Sequence, residues 1–352
     1  MLKNRIFWII LGLSVLCGVL LYVQNQRQKQ LVAKNIRGLV ESALKTDGLK
    51  MPAFDIAAYD KKLLEIANNP VTPSSTTSTL QTLWPVKTAY PNVGAILPFN
   101  RVVAYYGNLL SRGMGILGEY PEDVMLKKLN NEVSNWQAAD PATPVVPALH
   151  YISVVAQAGP GRDGKYRARM PDKEIEKVLA MAKKINGIVF LDVQVGLSNV
   201  QIEVPLLEKY LKLPNVHLGI DPEFAMHNGN RPGTVIGTLD AADVNFAANY
   251  LADVVRKNNL PPKILIIHRF TQPMLTNARK ITPLPEVQIV IQMDGFGSQG
   301  AKLNTYKQYI YKEPVQFTGF KIFYKNDSVR GSIFEPKQLL KLNPIPVYIQ
   351  YQ

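Results

Sequence analysis

From about residue 100 onward the chain alternates short, β-branched apolar runs with helical patterns eight times over. No other feature constrains the fold as tightly. The runs are Arg101–Gly107, Ala148–Gln157, Gly187–Gly196, Val216–Phe224, Lys263–Phe270, Val287–Gly297, Thr318–Tyr324 and Val347–Tyr351. Helix signals lie between them. Pro121-Glu122-Asp123 opens one helix, with acids in its first turn. Ile175, Val178, Leu179, Ala182 and Ile185 form the apolar stripe of a second, which Gly187 is expected to stop. Asp240 and Asp243 start the longest, with Val244, Ala247, Leu251 and Val254 on its buried face. Shorter helices are expected after Pro205, Pro273, Gln299 and Pro336. Strand and helix repeated eight times over about 250 residues are the proportions of a (β/α)8 TIM-type barrel, an α/β fold. A doubly wound open sheet is the alternative and would usually use fewer strands.

Composition narrows the partners. Apolar residues at 47% and charged residues at 19% can bury a core, which excludes wholesale disorder. A single cysteine, Cys17, excludes a disulfide scaffold and a cysteine-based zinc cluster. The net charge of +13 is spread along the chain. Nucleic acid is therefore not expected as a partner, while an anionic envelope polymer remains an option. Ile6–Val23 carries no charge, follows Lys3 and Arg5, and is long enough to cross a bilayer core. No small-x-small pair ends it, and Ser14-Val15-Leu16 before Cys17 is a poor lipoprotein cleavage box. The expectation is an uncleaved single-pass signal anchor over residues 1–23, in the cell membrane, with the barrel outside the cytoplasm. Residues 24–99 read as a helical stalk with a Pro/Ser/Thr-rich linker at 70–79, and residues 100–352 as the barrel domain.

In a (β/α)8 barrel the active site lies at the C-terminal ends of the strands. Polar residues follow apolar runs at that end of at least five strands here. By period-two alternation Asp192 and Gln194 share a face at the end of the third run, and Asp221 and Glu223 share one at the end of the fourth. Gln157, His268, Asp294 and Gln350 end the second, fifth, sixth and eighth. A charge at the end of a buried strand costs several kcal/mol unless it is paired or solvated. Asp192 and Asp294 can instead pair with Arg269 or cap a helix, and His217, deeper on the fourth strand, reads as structural. Glycoside cleavage needs a protonated carboxyl near the leaving oxygen and a second carboxylate as partner. A rim carrying Asp192, Asp221, Glu223 and Asp294 supplies both.

Asp221-Pro222-Glu223 resembles the Asp-x-Glu that ends strand four in chitinase-type hydrolases, and the chain resembles the glycoside-hydrolase-like (β/α)8 barrels. The resemblance implies Glu223 as general acid and Asp221 as its assistant. Leu218 and Gly219 stand where that family carries further acidic residues, a departure from its pattern. The segments Gly319–Tyr324, Glu335-Pro336 and Tyr348–Tyr351 are similar to exported bacterial barrel proteins of unknown activity.

Among other motifs, Gly295/Gly297/Gly300 and Gly159/Gly161/Gly164 have dinucleotide-like spacing, but neither follows a first strand and opens a helix. Arg162, Lys165, Arg167 and Arg169 make the loop after the second strand basic, which offers Arg162 to an anionic substrate group. Asp192, His217, Asp221, Glu223, His268 and Asp294 include metal-ligand types, yet no H-x-H or H-E-x-x-H spacing supports zinc. The expectation is no cofactor, with a divalent metal as the alternative. The expected function is hydrolysis of an envelope or extracellular glycan or cell-wall polymer. Glu223 is the acid, Asp192 or Asp294 its partner, and Asp221 tunes it. Gln157, Gln194, His268, Tyr105, Gln350 and Arg162 bind substrate. Tyr106, Phe224, Phe270, Phe296 and Tyr351, with Tyr105, are the available aromatic platforms. The alternatives are a non-catalytic glycan- or protein-binding envelope barrel and a metal-dependent hydrolase.

Overall fold

The computed structural model of the chain describes residues 54–70 and 82–352. The expected anchor at 6–23, the stalk up to residue 53 and most of the linker lie outside these. No helix among the described residues is long and apolar enough to cross a membrane.

Eight parallel strands close into a barrel. They are β1 (Arg101–Gly107), β2 (Val145–Ala156), β3 (Ile188–Val193), β4 (Val216–Ile220), β5 (Lys263–Arg269), β6 (Val287–Met293), β7 (Phe317–Ile322) and β8 (Tyr348–Tyr351). Each pairs with its sequence neighbours, and β1 closes the ring on β8, with Val103 opposite Ile349. All eight expected runs became strands because each is a mainly apolar stretch buried on both faces. Alternation decides what each face meets. Val189, Leu191 and Val193 of β3 pack outward under the helices, while Ile188 and Phe190 point to the barrel axis.

The main helices are α1 (Ile56–Ala67), α2 (Glu122–Ala139), α3 (Asp172–Lys184), α4 (Ala241–Asn258) and α5 (Gln299–Thr305). Asp240 and Asp243 form a reciprocal capping box at the start of α4. At the end of α3 the left-handed residue is Asn186, with φ 49°, rather than Gly187. Gly187 is required by close approach, since a Cβ there would lie 2.9 Å from the Pro147 carbonyl oxygen. The helix expected after Pro273 is replaced by a two-residue strand, Leu275–Thr276, which pairs with Leu239–Asp240. Its turn ends in a short 3-10 segment, Ala278–Lys280.

Phe54–Gln352 form a single compact unit, so described residues ahead of β1 pack with the barrel. Tyr59 of α1 and Leu97 join Val102, Ala104, Ala148, Phe190, Ile264, Ile266 and Val290 in one buried cluster at the lower end of the barrel. The inward side chain of Gln288 binds both backbone groups of Leu97, at 3.0 Å to its N–H and 2.6 Å to its carbonyl. An apolar helix face and a satisfied backbone thus stopper the N-terminal end, so the open end of the barrel is the other one.

On the outside, Trp136 of α2 is fully buried, donates to Tyr351 Oη at 2.9 Å and carries the Arg101 guanidinium 5.1 Å above its ring. Removing it empties the largest fully buried side-chain volume among the described residues. Trp136→Ala is expected to cost about 3–5 kcal/mol of stability, measured as a lower urea midpoint with an unchanged slope.

Candidate active site

The C-terminal ends of the strands open into a cavity of ≈520 Å³, inside the usual range for small-ligand sites. Its polar lining includes Tyr106, Gln194, Asp221, Glu223, Asp294, Lys321 and Gln352, and its apolar lining includes Met114, Ile152, Phe224, Phe270, Phe296 and Phe323. Phe296 stands half out of the rim, edge-on to Phe323 at 5.9 Å.

Beneath the floor runs a chain of buried charges. Asp192 Oδ1 lies 3.2 Å from His150 Nε2 and 3.3 Å from His268 Nε2, while Oδ2 accepts from Tyr106 Oη at 2.8 Å. His268 Nδ1 lies 2.7 Å from Asp294 Oδ2, and Lys321 Nζ lies 2.8 Å from Asp294 Oδ1 and 3.9 Å from the centre of the Tyr106 ring. The cluster fits only because β4 carries glycine at 219. A Cβ there would sit 2.4 Å from both Asp192 Oδ1 and His150 Nε2.

These neighbours set the protonation states. Burial disfavours the His268 cation, but Asp192 and Asp294 on either side overcome it and raise its pKa to about 10. Burial brings His150 down to about 4 despite Asp192, so it is neutral. Against burial, His268 and His150 hold the Asp192 carboxyl well below the ordinary range, and Lys321 and His268 lower that of Asp294. Asp221 and Glu223 are different. Burial, reinforced by Asp192 and Asp294 against His268, pushes Asp221 up to about 6. Burial, then Asp221 and Asp294, push Glu223 up to about 8.

The backbone around Glu223 is held firmly. Asp221 Oδ1 accepts from the Glu223 N–H at 3.0 Å, and the Glu223 carbonyl accepts from the Gly237 N–H at 2.7 Å. Gln194 Nε2 reaches Asp221 Oδ2 at 3.3 Å, its own oxygen taken by the Ala156 N–H at 3.1 Å.

The structure therefore brings Asp221, Glu223, Asp294 and Gln194 together on the cavity. Other expected site residues fall elsewhere. Asp192 faces inward but is fully buried below Tyr106, out of reach of a ligand. His268 is likewise sealed beneath the floor. Gln350 lies one residue pair too deep and hydrogen-bonds His150 Nδ1 and Tyr348 Oη, leaving Gln352 to line the cavity. Tyr105 has the wrong parity: it points outward to Tyr324 Oη at 3.1 Å, and Tyr106 takes the inner position. Tyr351 is outward for the same reason, beside Trp136.

Gln157 is displaced by a register shift in β2 between Ile152 and Val154, which breaks the alternation before the strand ends. Arg162 is exposed on its loop away from the cavity. Arg167 and Arg169 clamp the fully buried Glu203, each through a 2.7 Å contact. Arg269 faces outward to Glu313 at 2.7 Å, so it pairs with neither Asp192 nor Asp294. His217 is buried and accepts from the Ile264 N–H at 3.0 Å, the structural role expected of it.

Fold and cavity together define a (β/α)8 barrel with a carboxylate-lined site at its C-terminal mouth. No known protein family matches the chain, and neither does any curated protein sequence.

The His268 cation provides a direct test. Its pKa is raised in the folded protein from an ordinary value of about 6.5, so its contribution to stability is full below pH 6.5 and is lost as pH rises through 10. Removing it leaves buried anions short of a partner. His268→Gln is expected to cost about 3–5 kcal/mol at pH 7, and the gap to the unaltered protein should narrow in denaturation curves between pH 8 and 10.

Proposed function

We propose that the protein is a glycoside-hydrolase-type barrel that cleaves an envelope or extracellular glycan, with Glu223 as general acid. One observation carries the reading. Two carboxyls line the same cavity while their surroundings drive their proton affinities apart, Glu223 upward and Asp294 downward. Such a split identifies acid and anion in a two-carboxylate site. A perturbed carboxyl in an open cleft also favours an enzyme over a binding barrel, whose carboxylates would be paired and titrate normally.

In this mechanism Glu223 passes its proton to the glycosidic oxygen as the bond to the anomeric carbon breaks. The Asp294 carboxylate, held by His268 and Lys321, stabilises the positive charge that develops on the sugar ring. Water then adds to the anomeric carbon, and its proton restores Glu223. Asp221 acts on Glu223 in two ways, by fixing its backbone N–H and by adding negative charge that holds its proton. The partner role moves from Asp192 to Asp294 because Asp192 has no access to substrate. Phe224, Phe270 and Phe296 offer apolar faces to sugar rings in place of tryptophan. The membrane-anchored, exported placement belongs to the same reading and rests on the uncharged run at residues 6–23 and the lack of a cleavage site after it.

A panel of polymeric and chromogenic glycosides tests this. Glu223→Gln should lower kcat by about 10²–10⁴-fold with the fold intact by circular dichroism. Activity of the unaltered protein should fall as pH rises through about 8, where Glu223 loses its proton. Hydrolysis that survives Glu223→Gln, or a folded protein that binds glycans and cleaves none, would sink the assignment.

A further inference from the structure

We propose that His150, Asp192 and His268 form a binding site for a divalent transition metal, best suited to Zn²⁺, in the floor of the barrel mouth. The proposal is independent of the glycosidase reading, since it concerns atoms that no substrate touches. His150 Nε2, Asp192 Oδ1 and His268 Nε2, from β2, β3 and β5, all lie within 4.8 Å of one another and are fully buried. Two histidine nitrogens with one carboxylate oxygen are a borderline-soft donor set that suits zinc. The two measured edges, 3.2 Å and 3.3 Å, match the spacing of about 3.3 Å between neighbouring ligands on a tetrahedral ion with bonds of about 2.0 Å.

Two further features point to a ligand rather than to a plain hydrogen-bonded cluster. First, the three atoms meet only one another: His150 Nε2 and His268 Nε2 converge on Asp192 Oδ1 at 3.2 Å and 3.3 Å without a well-aligned hydrogen bond, and a metal ion there would displace the proton of His268 Nε2 and take over its positive charge. Second, each ligand is oriented from behind. His268 Nδ1 is held by Asp294 at 2.7 Å, Asp192 Oδ2 by Tyr106 Oη at 2.8 Å, and His150 Nδ1 by Tyr348 Oη and Gln350. A carboxylate behind a histidine is the arrangement that fixes the ring and strengthens its metal-bound nitrogen. Gln350 Oε1 has no partner as placed. Turning its amide over presents that oxygen to an Nδ1–H on His150, which frees Nε2 for the ion. With its ligands sealed from the cavity, the ion would brace the floor of the mouth rather than contact a substrate.

The experiment uses the full chain with Zn²⁺ and Co²⁺ as probes. The expected result is one equivalent of Zn²⁺ retained after dialysis, by elemental analysis, and a visible Co²⁺ absorption band that Zn²⁺ displaces. Asp192→Asn keeps the side chain's size and should weaken Zn²⁺ binding about 100-fold or more. His227→Gln, at an exposed histidine away from the cluster, should leave it unchanged. An unaltered chain that retains no Zn²⁺ and gives no Co²⁺ band overturns the proposal whether or not the variants fold. So does binding that survives Asp192→Asn undiminished. Because the readout is bound metal, a protein with no hydrolytic activity can still pass or fail.

Discussion

The mouth of this barrel depends on charge neutrality in a space closed to water. Asp192 and Asp294 lie below or within its floor as anions, and His268 and Lys321 are the two cations that face them. Buried charges survive only when paired with good geometry, and here His268 serves both carboxylates through its two ring nitrogens. That pairing uses up the local cations. Asp221 and Glu223 then stand over the same floor without a cation of their own, and burial beside anions raises both, Glu223 the further, so that at neutral pH Glu223 keeps its proton and Asp221 is the anion beside it. The proton that Glu223 retains in the cavity is a consequence of how the hidden carboxylates are neutralised.

The fold was legible because burial on both faces makes a parallel strand read as an uninterrupted apolar run, and eight such runs allow few arrangements. Residue parity then carried part of the site. On β3 and β4 alternation put Asp192 with Gln194 and Asp221 with Glu223 on shared faces, and position at the strand end picked out Asp294, without knowledge of the partners. Parity fails where the strand is irregular, as at the Ile152/Val154 shift that turned Gln157 away. Parity is also silent on depth. Asp192 and Gln350 face inward as their positions require, yet strand stagger sinks both below the floor, and Gln352 emerges instead.

His150 and Lys321 were missed although both were within reach of the same argument. Ala148, His150 and Ile152 share one face of β2, and Gly319, Lys321 and Phe323 one face of β7 and its exit. A lysine inside an apolar strand is as costly as an aspartate there and marks a site equally well. The Arg167, Arg169 and Glu203 clamp shows the limit of charge counting. A loop that looks basic in one dimension carries guanidiniums already committed to a carboxylate 34 and 36 residues away. The contribution of residues 54–70 was hidden for another reason. The amphipathic pattern of α1 says that it buries a face, but only the structure reveals that the face closes the barrel from below.

Among the polar groups of the cavity, Glu223 is singular in what its side chain does not do. Asp221 is tied to Gln194 and to the Glu223 N–H, Asp294 to His268 and Lys321, and Gln194 to Ala156 and Asp221. The Glu223 carboxyl makes no hydrogen bond or ion pair with any described residue, while Asp221 and Gly237 pin its backbone from both sides. A group fixed at its root and unbound at its tip can turn to a substrate atom without first breaking a contact of its own. Its proton is retained by its neighbours without being shared with them, so it can be given only to something that enters the cavity. Placement at the end of β4 follows from Pro222, which begins a tight 3-10 turn directly after the strand and lets Asp221 cap it. Two residues of sequence thereby set both the position of the acid and the negative charge that keeps it protonated.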